Sequence, residues 1–299
     1  MSTYITFVIP TFNRRNFIIK TIQSLLAQDY QYFEIIVVDD GSTDGTDKAI
    51  EELNNPKVTF HLIPNGERGA ARNYGATKAK GDYVNFFDSD DLAYPHHLST
   101  AVKFIEQHNS PEVFHLYFDV KTPTGEKVNQ VNLGTKPINQ WLIDLGNVCS
   151  CNGMFLRKDI ALQFPFSQER ILSGTEDYAL WLRLSSRFTI HHSPIVTSTI
   201  INHDTRSVVS HDFTKLIKRN MFLLEYLQSD EHFMHYIGNR FNIIKSECYS
   251  YIALHMILAG ENVNGFKWLL KAIKVDFTFP VRHIRFVAII KHAAKNLFK

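Results

Sequence analysis

Tyr83-Val84-Asn85-Phe86-Phe87 runs straight into Asp88-Ser89-Asp90-Asp91. The first five residues read as a buried strand, so three carboxylates within four residues stand at its end. Such charges repel one another unless a cation sits among them, and a strand end holds them in place. A divalent cation is the expected occupant. The plainer alternative is a solvated acidic turn that starts a helix from about Tyr94, with Asp91 as its cap.

Working outward, the segments before this strand alternate between two periodicities. Ile5-Thr6-Phe7-Val8-Ile9 reads as a strand, Phe17, Ile18, Thr21, Ile22, Leu25 and Leu26 form a helical stripe, and Glu34 to Val38 reads as a second buried strand. Asp44 to Leu53 is helical in pattern, Lys57 to Leu62 extended, and Gly69 to Ala79 helical. Strand and helix in strict alternation predict a doubly wound α/β sheet, mostly parallel, with helices on both faces. Ligands of such sheets bind beyond the carboxyl ends of the strands. Four strand ends carry polar, ligand-type residues: Pro10-Thr11-Phe12-Asn13-Arg14, Asp39-Asp40-Gly41-Ser42, Pro64-Asn65-Gly66-Glu67-Arg68, and the acidic tetrad. All four are expected on one rim. Neither a GxGxxG after the first strand nor a GxxxxGK[ST] occurs, which removes support for dinucleotide and P-loop sites.

At 299 residues with 44% hydrophobic content the chain can bury a large core. Cys149, Cys151 and Cys248 form no CxxC pair and are odd in number, which argues against a disulfide framework or a zinc site and fits a reducing compartment. The first residues lack the basic, apolar pattern of a signal peptide, and no apolar run reaches the ~18 residues of a membrane span. A cytoplasmic protein is expected. The formal net charge of +2 hides an asymmetry: residues 265–299 carry eight basic residues against Asp276, on an acidic remainder.

Taken together, Val8-Ile9-Pro10-Thr11-Phe12-Asn13-Arg14, Val37-Val38-Asp39-Asp40-Gly41-Ser42-Thr43-Asp44, Gly69-Ala70-Ala71-Arg72-Asn73-Tyr74-Gly75, Asp88-Ser89-Asp90-Asp91 and Glu176-Asp177 resemble, in order and spacing, the inverting family-2 glycosyltransferases of GT-A fold. The resemblance is dense to about residue 110, sparser to about 210, and absent as a motif beyond. It implies a catalytic domain over 1–210, with a nucleotide-binding half (1–110) and an acceptor half (111–210), followed by a helical extension over 211–299.

The resemblance also implies roles. A nucleotide diphosphate sugar, with UDP the expected nucleotide, would bring its diphosphate to Mn²⁺ or Mg²⁺, for which carboxylate oxygens are suitable ligands. Asp88 and Asp90 match the DxD motif: Asp90, with Asp91, would hold the metal, and Asp88, next to Ser89, would face the ribose or a metal-bound water. Asp39 and Asp40 match the acidic pair that reads the base and steadies the ribose, with Pro10 and Thr11 shaping the pocket and Phe12 stacking on the base. Arg68 and Arg72 open the third helix where guanidinium groups suit phosphate oxygens. One would touch the nucleotide; the alternative for the other is a surface ion pair with Glu67.

Gly174-Thr175-Glu176-Asp177 precedes a strong helical pattern with Thr175 as candidate cap. The two carboxylates could simply complement the helix dipole. The resemblance instead makes Asp177 the general base that takes the acceptor hydroxyl's proton, with Glu176 orienting the acceptor or the metal's surroundings. Asn202-His203-Asp204 matches the family's closing segment, which makes His203 a candidate metal contact, with His211 second. The Arg that the family often carries before this His is absent here, where Ile201 and Asn202 stand.

Residues 213–259 are helical in pattern, and beyond Gly265 apolar and lysine residues interleave, with a break at Pro280. Basic faces beside Trp, Phe and Leu are the composition of helices lying on an anionic membrane surface; a helix hairpin that caps the core or forms a dimer is the alternative. The segment has no recognisable nucleic-acid motif. The expected function is transfer of a sugar from a UDP-sugar to a saccharide or lipid-linked saccharide, at the cytoplasmic face of the inner membrane. A sugar-nucleotide pyrophosphorylase would want a Gly-rich, basic phosphate loop after the first strand. A non-catalytic nucleotide-sugar-binding or membrane scaffold protein that has kept the fold is the reading from another class.

Overall fold

A computed structural model describes residues 2–128, 134, 137–203 and 212–297. In chain order its first elements are β1 (Ile5–Thr11), α1 (Arg15–Leu26), β2 (Phe33–Asp39), α2 (Thr46–Glu51), β3 (Val58–Leu62), α3 (Glu67–Lys78), β4 (Tyr83–Phe86), β5 (Leu92–Ala93) and α4 (His97–Gln107). Then come β6 (Val113–Lys121), β7 (Lys127–Val128), α5 (Asn139–Asp144), β8 (Met154–Arg157), α6 (Lys158–Gln163), α7 (Glu176–Ser185) and β9 (His191–Ile201). Six helices follow: α8 (Phe213–Gln228), α9 (Glu231–Ile237), α10 (Phe241–Leu258), α11 (Asn262–Val275), α12 (Phe279–Arg282) and α13 (Ile284–Leu297). The chain forms two compact units. One comprises Met1–Ile138, Cys149–Leu180 and Phe188–Arg206; the other draws Asn139–Val148 and Trp181–Arg187 together with Ser207–Lys299.

The first unit is built on one sheet of order β3-β2-β1-β4-β8-β6-β9-β5, with β7 beside β6. β1 to β4 are mutually parallel, as the alternation of strand and helix requires. β8 then runs antiparallel to both β4 and β6, so the sheet as a whole is mixed. Successive side chains of a strand point to opposite faces. Ile5, Phe7 and Ile9 of β1 and Ile35 and Val37 of β2 accordingly pack with Ile18, Ile22 and Leu25 of α1. Ile36 and Val38 pack on the other face with Ala71 of α3. Burial on both faces explains why these strands read as unbroken apolar runs.

Gly75 lets α3 lie this close, since a Cβ there would stand 2.3 Å from Cγ1 of Val8. The helix expected from about Tyr94 begins at His97, because Leu92–Ala93 pairs with β9 first and the Tyr94 amide donates to the Thr197 carbonyl.

The second unit is helical. α10 is buried on several sides, and the apolar faces of α11 and α13 close on it through Leu269, Ala272, Ile289 and Ala293. A Cβ on Gly265 would stand 2.6 Å from Ile257, so α11 approaches α10 without room for a larger residue. Residues 265–297 therefore carry part of this unit's own core, as the capping alternative requires. Among the described residues no helix is long and apolar enough to cross a membrane.

Candidate active site

The carboxyl ends of β1, β2 and β4 and the start of α7 carry most of the expected site residues. The loops after β1 and β2 are laced together. Asn13, at φ 51°, donates its amide to the Ser42 hydroxyl (2.8 Å) and accepts from the Thr43 amide (2.9 Å), while Asp44 accepts from the Arg15 amide (3.0 Å). Ser42 and Asp44 are thus scaffold.

The two acids before them part company. Asp39 accepts from the Ser42 amide through Oδ1 (2.8 Å), whereas its buried Oδ2 and the buried Oγ1 of Thr11 have no hydrogen-bond partner among the described residues. Asp39 and Thr11 are register partners, so both orphan atoms belong to one spot at the β1–β2 rim. A buried acceptor left open is costly unless a ligand donor reaches it, which is the property a base-reading carboxylate needs. Asp40 differs: its oxygens accept from the Gly66 amide (2.6 Å) and Asn65 Nδ2 (3.1 Å), and burial raises its pKa against the backbone donors of Gly66 and Glu67. It stitches β2 to the loop before α3. Pro10 is buried within β1, and Phe12, next along, is 47% exposed and so open to stacking.

The acidic tetrad also divides its labour. Thr21 of α1 bonds the carbonyls of Ser89 (3.0 Å) and Asp91 (2.8 Å) and pins the turn from below. Asp91 is fully buried, and its carboxylate accepts from the Ile201 amide (2.9 Å) and Asn152 Nδ2 (2.8 Å). It holds β9 to the turn instead of serving as a cap. Asp90 lies 3.0 Å from Nε2 of His203 and 3.9 Å from Arg14, and the His203 ring stacks on Phe17 at 4.7 Å. Asp88 is 28% exposed; its amide donates to Asn152 Oδ1 (2.8 Å) and its Oδ1 accepts from Arg72 (2.8 Å).

Arg72 is the joint of the site. It is buried, donates to Asp88 and, at 2.7 Å, to Glu176 at the start of α7, and lies 5.0 Å from the centre of the Phe166 ring. Burial works against its charge, but Cys151 and the carboxylates of Asp88 and Glu176 more than offset that and push its pKa well above the ordinary value. Glu176 is buried as well, with Oε2 bonded to the amides of Gly174 (2.6 Å) and Thr175 (3.1 Å). Burial raises its pKa, and Arg72 together with Arg68 at 3.8 Å overcomes this, so the carboxyl stays below the usual range. Arg72 thus joins two protein carboxylates, and Arg68 beside it is one-third exposed. Glu67 pairs instead with Arg170 (3.1 Å) and Ser173 (3.1 Å). Asp177, half-buried in the first turn of α7, follows Glu176 directly. Burial pushes the thiols of Cys149 and Cys151 well up, and both are free.

Asn152 is the residue sequence reasoning missed. Its side chain ties the Asp88 amide to the Asp91 carboxylate, while its carbonyl accepts from Asn85 (2.9 Å). A single Asn among weakly patterned residues carries no signal of such a role. His211 lies outside the described residues. Among the described residues no cluster of three or more His, Cys, Asp or Glu side chains converges as an ion's ligand set. Asp90 and His203, 3.0 Å apart, are a carboxylate and imidazole pair, donors of a kind that Mn²⁺ or Mg²⁺ accepts.

The family model for glycosyl transferase family 2 matches residues 6–162. The chain belongs to glycosyl transferase family 2. An uncharacterized glycosyltransferase of Rickettsia bellii is 32% identical over 192 residues, covering 61% of this chain and 26% of that protein. This chain therefore corresponds to about a quarter of that relative. The Escherichia coli UDP-Glc:alpha-D-GlcNAc-diphosphoundecaprenol beta-1,3-glucosyltransferase WfaP is 27% identical over 223 residues, covering 73% of this chain and 85% of that one. Residues 1–349 of Staphylococcus aureus TarS, solved with UDP-GlcNAc, superpose with a TM-score of 0.69 at 19% identity, covering 98% of this chain and 90% of that chain. The GT-A fold expected from the sequence of this family 2 glycosyltransferase is thereby established, with a helical C-terminal region.

Proposed function

We propose that this family 2 glycosyltransferase moves a sugar from a UDP-sugar to a hydroxyl of a saccharide on a lipid carrier, inverting the anomeric centre, in surface polysaccharide synthesis. The observation that carries the reading is the Arg72 joint: one buried guanidinium ties the part-exposed Asp88 of the DxD turn to Glu176, beside the candidate base Asp177. Donor-side and acceptor-side carboxylates are thereby held as one piece, as an in-line displacement needs.

In this reading the orphan Oδ2 of Asp39 takes the uracil N–H and Phe12 stacks on the ring. Asp90, His203 and Asp88 would hold Mn²⁺ or Mg²⁺, which when bound neutralises charge on the departing diphosphate. Arg68 adds positive charge on the same side. Asp177 accepts the proton from the attacking hydroxyl, and Glu176 keeps Arg72 charged and Asp88 in place. The acceptor in WfaP's name is alpha-D-GlcNAc-diphosphoundecaprenol, and this reading carries that acceptor class to the present chain, which would then work as a peripheral protein at the cytoplasmic face of a membrane.

The test is release of UDP from a panel of UDP-sugars. Release from at least one, dependent on Mn²⁺ or Mg²⁺, supports the reading. Failure of every UDP-sugar, with metal and with lipid-linked saccharide acceptors present, overturns it.

A further inference from the structure

The basic tail divides into two parts. Arg285 is spent inside the helical unit, bonded to the buried Glu247 (2.8 Å), to its carbonyl (3.2 Å) and to Ser250 (2.9 Å). The lysines of α11 are disposed otherwise. Leu269, Ala272 and Gly265 fill the inner face of this helix. Val263, Phe266 and Leu270, spaced three and four apart, form an exposed apolar stripe on its outer side. Lys267, Lys271 and Lys274, with the same spacing and one or four residues further on, form a second stripe alongside.

The α11 sequence holds no Asp or Glu. The lysines also edge a groove of about 580 Å³ whose apolar lining includes Ile217 of α8, Met256 of α10 and Trp268, with the Lys271 ammonium 3.9 Å from the centre of the Trp268 ring. No acidic residue lines the groove. Directly past the end of α11, Phe277 is 85% and Val281 90% exposed, more than any other large apolar side chain described.

We infer that the outer face of α11 is the surface with which this enzyme docks on an anionic phospholipid bilayer, lysines at the phosphates and Val263, Phe266 and Leu270 in the interface. The inference rests on the proposed lipid-linked acceptor for its purpose. An apolar stripe bordered by a lysine row is the pattern that lies in a headgroup layer, where basic residues meet lipid phosphate. Charge selects the occupant: a protein partner would need an acidic surface, whereas a bilayer offers phosphate at any orientation about its normal.

Binding of the full chain to vesicles is measured without donor or acceptor, so that it reports on the surface alone, and UDP release in solution reports on the active site separately. Flotation with vesicles of phosphatidylcholine and phosphatidylglycerol is expected at low salt, with loss at 0.5 M salt and with phosphatidylcholine alone. The triple variant Lys267→Gln, Lys271→Gln, Lys274→Gln should weaken partition about 10²-fold, since each surface-proximal charge contributes on the scale that a tenfold change requires or slightly less. Leu270→Asp should weaken it further, with UDP release unchanged in both variants. Three results overturn the inference: no flotation of the native chain at low salt, equal partition of the triple variant, or a concentration-dependent dimer that the triple variant or Leu270→Asp dissociates.

Discussion

Glu176 and Glu247 are both buried glutamates bonded to an arginine, the first to Arg72 at 2.7 Å in the sheet unit, the second to Arg285 at 2.8 Å in the helical unit. Their surroundings differ. Arg285 sends its remaining bonds back to the same helix, to the Glu247 carbonyl and to Ser250. Arg72 reaches out of its pair to Asp88, a part-exposed carboxylate at the end of a parallel strand. A buried ion pair is therefore weak evidence of a site by itself. What marks one is a third charged group, held at a rim where a ligand can arrive, with a part-exposed carboxylate such as Asp177 beside it.

The largest effect tests that contrast directly. Arg72→Met and Arg285→Met each remove the closest arginine from a buried carboxylate, leaving Glu176 with Arg68 at 3.8 Å and Glu247 with His283 at 3.0 Å, and each should lower unfolding free energy by up to about 3–5 kcal/mol in chemical denaturation. Only Arg72→Met should also abolish UDP release per folded molecule. If Arg285→Met silences the folded fraction equally, the contrast is void.

Next comes the pair of neighbours on α7. Asp177→Asn is nearly isosteric and should cut turnover by about 10²-fold or more while leaving UDP affinity unchanged, the scale of general-base removal. Near-normal turnover would send the search for a base to another residue, because Glu176 has both oxygens engaged.

The open acceptor at the β1–β2 rim predicts a smaller loss. Asp39→Asn replaces an acceptor by a donor and should weaken UDP binding by about 1–3 kcal/mol in calorimetry, with much less effect on a nucleotide whose base lacks the N–H. Equal losses for all bases would assign Asp39 to scaffold.

In the helical unit, Asp230 accepts from Arg183 (2.8 Å) and Arg187 (2.7 Å) and caps α9 through the Phe233 amide (3.0 Å). Burial raises its pKa, but the bonds from Arg187 and Arg183 prevail and bring it down to about 2. A depressed carboxyl contributes stability that is present above its ordinary pKa near 4 and is lost as pH falls towards about 2. Asp230→Asn should remove that acid limb for a loss of about 1 kcal/mol near neutrality, after screening, with UDP release unaffected.

The parallel half of the fold was legible because β1, β2 and β4 are buried on both faces and read as apolar runs, and because each ends in a polar signature. The antiparallel strands β6 and β8 and the long β9 escaped, since their polar and charged residues, such as His115, Asp119 and His192, interrupt the apolar pattern. The divisions within the site escaped for a different reason. Asp39 and Asp40 are adjacent acids, yet one keeps an open oxygen and the other has both engaged, a difference made by Asn65 and Gly66 some 25 residues on. Arg72 meets Glu176 across 104 residues, and Asn152 meets Asp91 across 61. Local spacing encodes none of these meetings; only the folded sheet brings the partners together.

The central claim, that this rim binds a nucleotide diphosphate through a metal held at Asp90 and His203, is tested most directly by thermal unfolding of the native chain and of Asp90→Ala with UDP, with and without Mn²⁺. The native chain should gain about 2.7 kcal/mol at a UDP concentration one hundred times the dissociation constant, and only with Mn²⁺. Asp90→Ala should unfold like the native chain without ligand and gain nothing from Mn²⁺ with UDP. Metal-dependent stabilisation of equal size in that variant would contradict the account.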